Sequence, residues 1–173
     1  VQSYGTAGEV GATDAELLAE ATGEHAGLVC PVHRWLPVAM APPMAAEVLG
    51  RPPFTVSDLV GELAWPAAVG VGLVESVGGV RSPIAADGDT VTLAEQLAPE
   101  RVVLVADAGL GTINGVRLSA AALGRWPLTV LLNRYDPSDD LHVRNREWLS
   151  GRDAFDVVVD PAALVPPIVG WPA

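Results

Sequence analysis

A chain of 173 residues is long enough to bury a substantial core and short enough to form one domain, and a single domain spanning 1–173 is expected. Half of its residues are hydrophobic and its mean hydropathy is positive, which excludes a disordered polyelectrolyte. The formal net charge of −11 argues against nucleic acid or an anionic membrane surface as a partner. Cys30 is the single cysteine, so an internal disulfide and a cysteine-based zinc site are both excluded. No apolar run reaches the roughly 20 residues that span a bilayer, and no basic, then apolar leader opens the chain. A cytoplasmic protein is expected.

In chain order, residues 1–3 read as the tail of a strand and run into a glycine-rich loop. Residues 13–22 then predict a helix with Thr13 or Asp14 near its N-cap. A proline-rich stretch over 30–53 contains a short helix predicted at 44–49, and further helices are predicted at 56–64, 91–97, 113–123 and 141–149. The apolar runs 69–75, 101–106, 127–133 and 155–159 predict strands, the first two in the style of strands buried on both faces. Alternation of strand and helix gives an α/β class: a doubly wound, mostly parallel sheet with helices on both faces. Loops that follow such strands gather where open α/β sheets bind ligands.

Four segments carry candidate chemistry. In GLVESVGGVRSP, from Gly72 to Pro83, Glu75 ends a predicted strand and Gly78 and Gly79 follow it. A carboxylate there suits Mg²⁺ beside phosphates, and the glycines admit a ligand close to the backbone. Read by itself, the segment fits equally a solvated glutamate and an ordinary turn. In VADAGLGTINGVRLS, beginning at Val105, a glycine-rich loop opens a helix near Gly111 and Thr112, where free N–H groups and the helix dipole favour an anion. Simple capping accounts for that loop when it is taken alone. Asn133 ends the next strand ahead of Asp136 and Pro137, and its amide presents a donor and an acceptor together, as a purine edge requires. Asp14 heads a helix, where capping alone is the simpler reading unless a second carboxylate lies nearby. His25, His33 and His142 show no metal-ligand spacing. Trp35, Trp65, Trp126, Trp148 and Trp171 lack the basic interleaving of a nucleic-acid surface.

Taken together and in order, these segments resemble the dethiobiotin synthetases, over about residues 1–150. Val1, Gln2 and Ser3 fit the family's early Lys-Pro-Val-x-Ser/Thr-Gly, and Asp14 fits its helix-start aspartate. Ala41, Pro42 and Pro43 fit its Ser-Pro-His stretch, and Val74–Gly79 fits Val-Glu-Gly-Ala-Gly-Gly. Leu110, Gly111, Thr112, Ile113 and Asn114 fit its Leu-Gly-x-Ile/Leu-Asn loop, and Asn133 its adenine-side asparagine. The resemblance implies a P-loop NTPase-like fold and an ATP-dependent ligase. Such enzymes form the ureido ring of dethiobiotin from 7,8-diaminopelargonic acid and CO₂, as homodimers using Mg²⁺. It implies Asp14 and Glu75 as metal ligands, and Ser3 and Glu75 as catalytic. Ser3, Gly78, Gly79, Gly111, Thr112, Ile113 and Asn114 would contact substrate; Asn133, Asp136 and Pro137 would contact ATP. The chain departs from the family in carrying Ser76 and Val77 for glycine and alanine, Pro43 and Gly115 for histidines, and Tyr4 for glycine. It has no Gly-x-x-x-x-Gly-Lys-Thr loop, and all ten basic residues are arginine, so lysine-dependent chemistry cannot be completed by these residues alone. An N-terminal strand and helix carrying that loop are expected to be missing, leaving the printed chain inactive by itself. A non-catalytic relative serving as a binding or regulatory domain, or a related P-loop amide-forming ligase, is the alternative.

Overall fold

The computed structural model describes residues 1–3, 12–67 and 69–165, so Tyr4, the glycine-rich loop after it and Trp171 lie outside the described residues. The chain divides into two compact units, one of residues 1–67 and 74–97, the other of 68–73 and 98–173.

In the first unit, β1 (Gln2–Ser3) pairs in parallel with β2 (Trp35–Leu36), Gln2 opposite Trp35 and Ser3 opposite Leu36. Between them run α1 (Asp14–Thr22) and the short α2 (Ala26–Val29). Thr13 caps α1 in a reciprocal capping box with Glu16, and Gly23 closes it in the left-handed conformation at φ 75°. Next come α3 (Pro42–Val48), with proline in its first turn, and α4 (Val56–Gly61), capped by Thr55. A small antiparallel pair, β3 (Pro83–Ala85) and β4 (Gly88–Asp89), leads into α5 (Thr90–Leu97). Leu36, Ala45, Ala46, Phe54, Val56, Ile84, Ala85 and Leu93 form the core of this unit.

The second unit is a three-stranded parallel sheet in the order β5 (Val102–Asp107), β6 (Leu128–Asn133), β7 (Asp156–Val158). The connections are α6 (Thr112–Leu123) and α7 (Asp140–Glu147), the latter running into a π-turn over Trp148–Arg152. β6 has a partner on each edge and four consecutive buried residues, the pattern of a central parallel strand. Buried Thr129 on β6 accepts from Arg101 at 3.0 Å and donates to Asp156 at 2.7 Å, a polar clasp at the strands' start. Ala108, Val116, Val130, Leu132 and Leu149 make the core. Both units are mixed α/β with parallel strands and flanking helices, the class read from the sequence and consistent with a P-loop NTPase-like fold. Among the described residues no helix is long and apolar enough to cross a membrane.

Two strand expectations need correction. Residues 69–75 form no strand, and Val69, Leu73 and Val74 are 46%, 75% and 42% exposed. An apolar run becomes a strand only where a neighbour accepts its backbone hydrogen bonds, and none of the described strands pairs with it. Similarly, among the described residues β5 is paired on one edge only, and it is not buried on both faces, with Val105 58% exposed.

Candidate functional site

Glu75 lies in a segment without regular secondary structure that is held on its C-terminal side. Ser76 Oγ and Thr90 Oγ1, the latter at the start of α5, lie 2.6 Å apart, and Val77 packs against the core. Ser76 and Val77, two of the residues that depart from the family pattern, therefore hold the chain just after the glutamate. Immediately beyond, Gly78 turns at φ 72°, a conformation that L side chains rarely adopt. The turn closes through Ser82, whose amide donates to Gly79 O at 2.8 Å and whose Oγ accepts from Gly79 N at 3.2 Å. Partial burial pushes the Glu75 carboxyl above the ordinary carboxylate range, and the negative charge of Asp14 adds to the shift. The structure thus brings the two acidic residues singled out in the sequence within electrostatic reach of one another, across the fold of the first unit.

Asp14 is the first residue of α1, and β1 lies beside that helix start: the Ala15 amide donates to the side chain of Gln2 at 3.0 Å. Ser3, next along β1, has a buried hydroxyl, and Gln2 a buried Nε2, that find no hydrogen-bond partner among the described residues. Buried polar atoms without partners are rare in folded proteins and mark positions where a ligand can complete the bonding. A divalent cation suits this set. Mg²⁺ is commonly held by one or two carboxylates, with phosphate or water oxygens filling its remaining positions. No cluster of three or more His, Cys, Asp or Glu suited to a metal occurs among the described residues.

In the second unit, the loop after β5 is built to a fixed shape. Asp107 Oδ1 accepts from Gly109 N at 2.8 Å, and buried Asn145 on α7 donates through Nδ2 to Ala108 O and Gly109 O, both at 2.9 Å. Gly111 takes φ 94° and caps α6 without a side-chain acceptor, leaving the helix start open. Thr112, the first helical residue, is 8% exposed and its Oγ1 has no protein partner, while Ile113 joins the core. Asn114 is exposed on the first turn. The Thr112 amide donates to Gly109 O at 3.4 Å, and the N–H groups that follow it, with the positive dipole end of the helix, favour carboxylate or phosphate. Gly111→Ala is expected to cost about 1 kcal/mol of stability through the positive φ alone, since open space surrounds the position. A thermal melt measures it.

Asn133 ends β6 with an exposed side chain whose Oδ1 accepts from Arg134 N at 3.0 Å. Asp136 Oδ1 accepts from Ser138 Oγ at 2.7 Å and from Ser138 N at 2.8 Å. These bonds, with a smaller contribution from His142, hold the Asp136 carboxyl below its ordinary range. Pro137 completes the same turn. The histidines are accounted for by neighbours: His25 caps α2, His33 lies 3.2 Å from Glu62, and His142 Nδ1 accepts from Asp136 N. A cleft in the first unit lined by His33, Arg34, Arg51 and Phe54 contains none of the residues singled out in the sequence. Its arginines are engaged already, Arg34 by Glu62 and Arg51 by two backbone carbonyls.

Three contributors escaped the sequence reading. Ser82 follows the glycine turn without a distinguishing pattern. Asn145 looks like any polar residue on an exposed helix. Gln2 was noted only as part of a motif, without a role.

Comparison with known proteins gives one consistent result. The chain is 37% identical over 144 residues to the ATP-dependent dethiobiotin synthetase of Anaeromyxobacter dehalogenans strain 2CP-C, covering 80% of this chain and 62% of that protein. It is 35% identical over 130 residues to the enzyme of that name from Haloferax mediterranei, covering 71% of this chain and 53% of that protein. With the corresponding Brachyspira hyodysenteriae protein it shares 28% over 137 residues, 70% of this chain and 59% of the relative. The chain thus spans between half and two-thirds of the length of these curated relatives. No protein-family profile matches it, and neither does any solved structure.

Proposed function

We propose that this chain, which belongs to the dethiobiotin synthetase family, contributes the diamine and metal side of an ATP-dependent ring closure. The substrate of that reaction is 7,8-diaminopelargonic acid. One of its amines attacks CO₂ and loses a proton, giving a carbamate. A carbamate oxygen attacks the γ-phosphorus of ATP and ADP departs. The second amine then attacks the activated carbonyl carbon and loses a proton to solvent, phosphate leaves, and the ureido ring is closed. Phosphoryl transfer of this kind depends on positioning and on compensation of charge rather than on covalent chemistry by the protein.

The observation that carries the reading is the start of α1 at Asp14 bonded to β1 through Gln2, with buried polar atoms of Ser3 and Gln2 that find no partner among the described residues; the Asp14 charge that helps raise Glu75 supports it. Asp14 and Glu75 would hold Mg²⁺, which when bound offsets the negative charge of the phosphates. Ser3 would orient an amine or the carbamate through its hydroxyl, and the Gly78–Gly79 turn would let the diamine lie against backbone. The start of α6, from Gly111 to Asn114, would take the substrate carboxylate. Asn133, with Asp136 and Pro137, would bind the adenine side of ATP. The 173 residues contain no lysine, so a phosphate-binding lysine, where turnover requires one, comes from outside them. A homodimer is the assembly proposed.

The test uses the gene product that carries this chain, supplied with diaminopelargonate, bicarbonate and Mg²⁺-ATP. Formation of dethiobiotin with one phosphate released per ring supports the reading. ATP bound without product, or amide formation on another acid, contradicts it.

A further inference from the structure

The start of an α-helix leaves its first N–H groups without intrahelical acceptors. In α1 two of them are satisfied locally: Thr13 N donates to Glu16 Oε2 at 2.7 Å, and Glu16 N to Thr13 Oγ1 at 3.4 Å. Those bonds travel with the helix and fix nothing outside it. The Ala15 amide is different, because its acceptor is Gln2 Oε1 on β1, at 3.0 Å. Gln2 is 3% exposed, so this bond is shielded from competing water. It also orients the carboxamide, with the oxygen toward α1 and Nε2 left as a buried donor.

Asp14 directly precedes Ala15, and consecutive Cα atoms are held about 3.8 Å apart. Whatever holds the Ala15 amide against β1 therefore holds the Asp14 backbone as well. We propose that Gln2 is a positioning residue for the Asp14 carboxylate. It registers the helix start against the strand that carries Ser3, and so fixes where the Asp14 carboxylate stands. The inference rests on the reading of Asp14 and Glu75 as ligands of a divalent cation.

Mn²⁺ binding to the chain, followed by electron paramagnetic resonance, tests it without any turnover. Gln2→Met preserves length and removes the acceptor, and is expected to weaken Mn²⁺ by about 10–100-fold, as loss of an outer-sphere support does. In an Asp14→Asn background the same change is expected to have no further effect, since the ligand being positioned is gone. Gln2→Asn keeps an amide that is one methylene too short to reach Ala15 N. It should reproduce the loss, and it carries the test should Gln2→Met fail to fold. A residue serving stability alone would lower the melting temperature while leaving Mn²⁺ affinity unchanged in the folded variant, and that result overturns the proposal. Unaltered chain that takes up no Mn²⁺ overturns the cation-site reading itself, and the inference with it.

Discussion

Asn145→Ala is expected to lower the unfolding free energy by about 2–3 kcal/mol, because it removes two hydrogen bonds from buried surroundings. The Asn145 amide nitrogen serves Ala108 O and Gly109 O at once, and the residue is 6% exposed. Ala108 is itself completely buried, so no water replaces the lost donor at its carbonyl. A sharper test is Asn145→Asp, which has nearly the same shape but offers a carboxylate oxygen where the nitrogen stood. At neutral pH it sets a negative charge against two carbonyl oxygens and should destabilise more than alanine does. Urea denaturation of the three proteins measures the order. Amide exchange at Thr112 and Ile113 should quicken in both variants, because the loop that opens α6 loses its tie to α7.

Glu75→Gln is expected to act in opposite directions on turnover and on stability. In the gene product it should lower ring closure by about 10²–10³-fold, the scale on which a group compensating transition-state charge acts. On the metal-free fold it should be stabilising at neutral pH. The reason lies in the linkage: burial and the charge of Asp14 raise the Glu75 carboxyl above its unfolded value. A group raised in this way contributes fully to stability below the unfolded pKa, and that contribution is lost as pH rises through the folded one. Glutamine carries no such penalty, so the variant should melt higher than the unaltered chain at pH 7. The difference should vanish in acid below the ordinary glutamate range. Melts across pH 3–8 give the sign. A lower melting temperature at pH 7 would mean that Glu75 is held by favourable contacts instead.

Comparison of the structure with the sequence shows which signals survive without long-range information. β6 was legible because the apolar run 130–132 meets a partner on both edges, so local pattern and tertiary setting agree. The run at 69–75 has the same pattern but no paired neighbour, and there hydrophobicity alone gave the wrong element. α1 was legible from its composition and from Thr13 or Asp14 near its N-cap; the structure makes Thr13 the cap, in a reciprocal box with Glu16. β3 and β4 were not, since elements of three and two residues carry no period to read. For the site, Asp14 and Glu75 were singled out by their places at a helix start and after an apolar run, and by resemblance, whereas the effect of one charge on the other depends on how the first unit folds. Ser76 and Val77 stood out only as departures from the family's glycine and alanine; in the fold one bonds Thr90 and the other packs against the core. Gln2 and Asn145 act through bonds to distant backbone, which no local pattern announces.

The claim on which the account depends most directly is that Asp14 and Glu75 act on each other. Carbon-detected NMR titration of the Glu75 carboxyl, in the unaltered chain and in Asp14→Asn, measures that interaction without ligand or activity. The account predicts a midpoint above the ordinary glutamate value in the unaltered chain and a downward shift when the aspartate loses its charge. An ordinary midpoint, the same in both proteins, would contradict it.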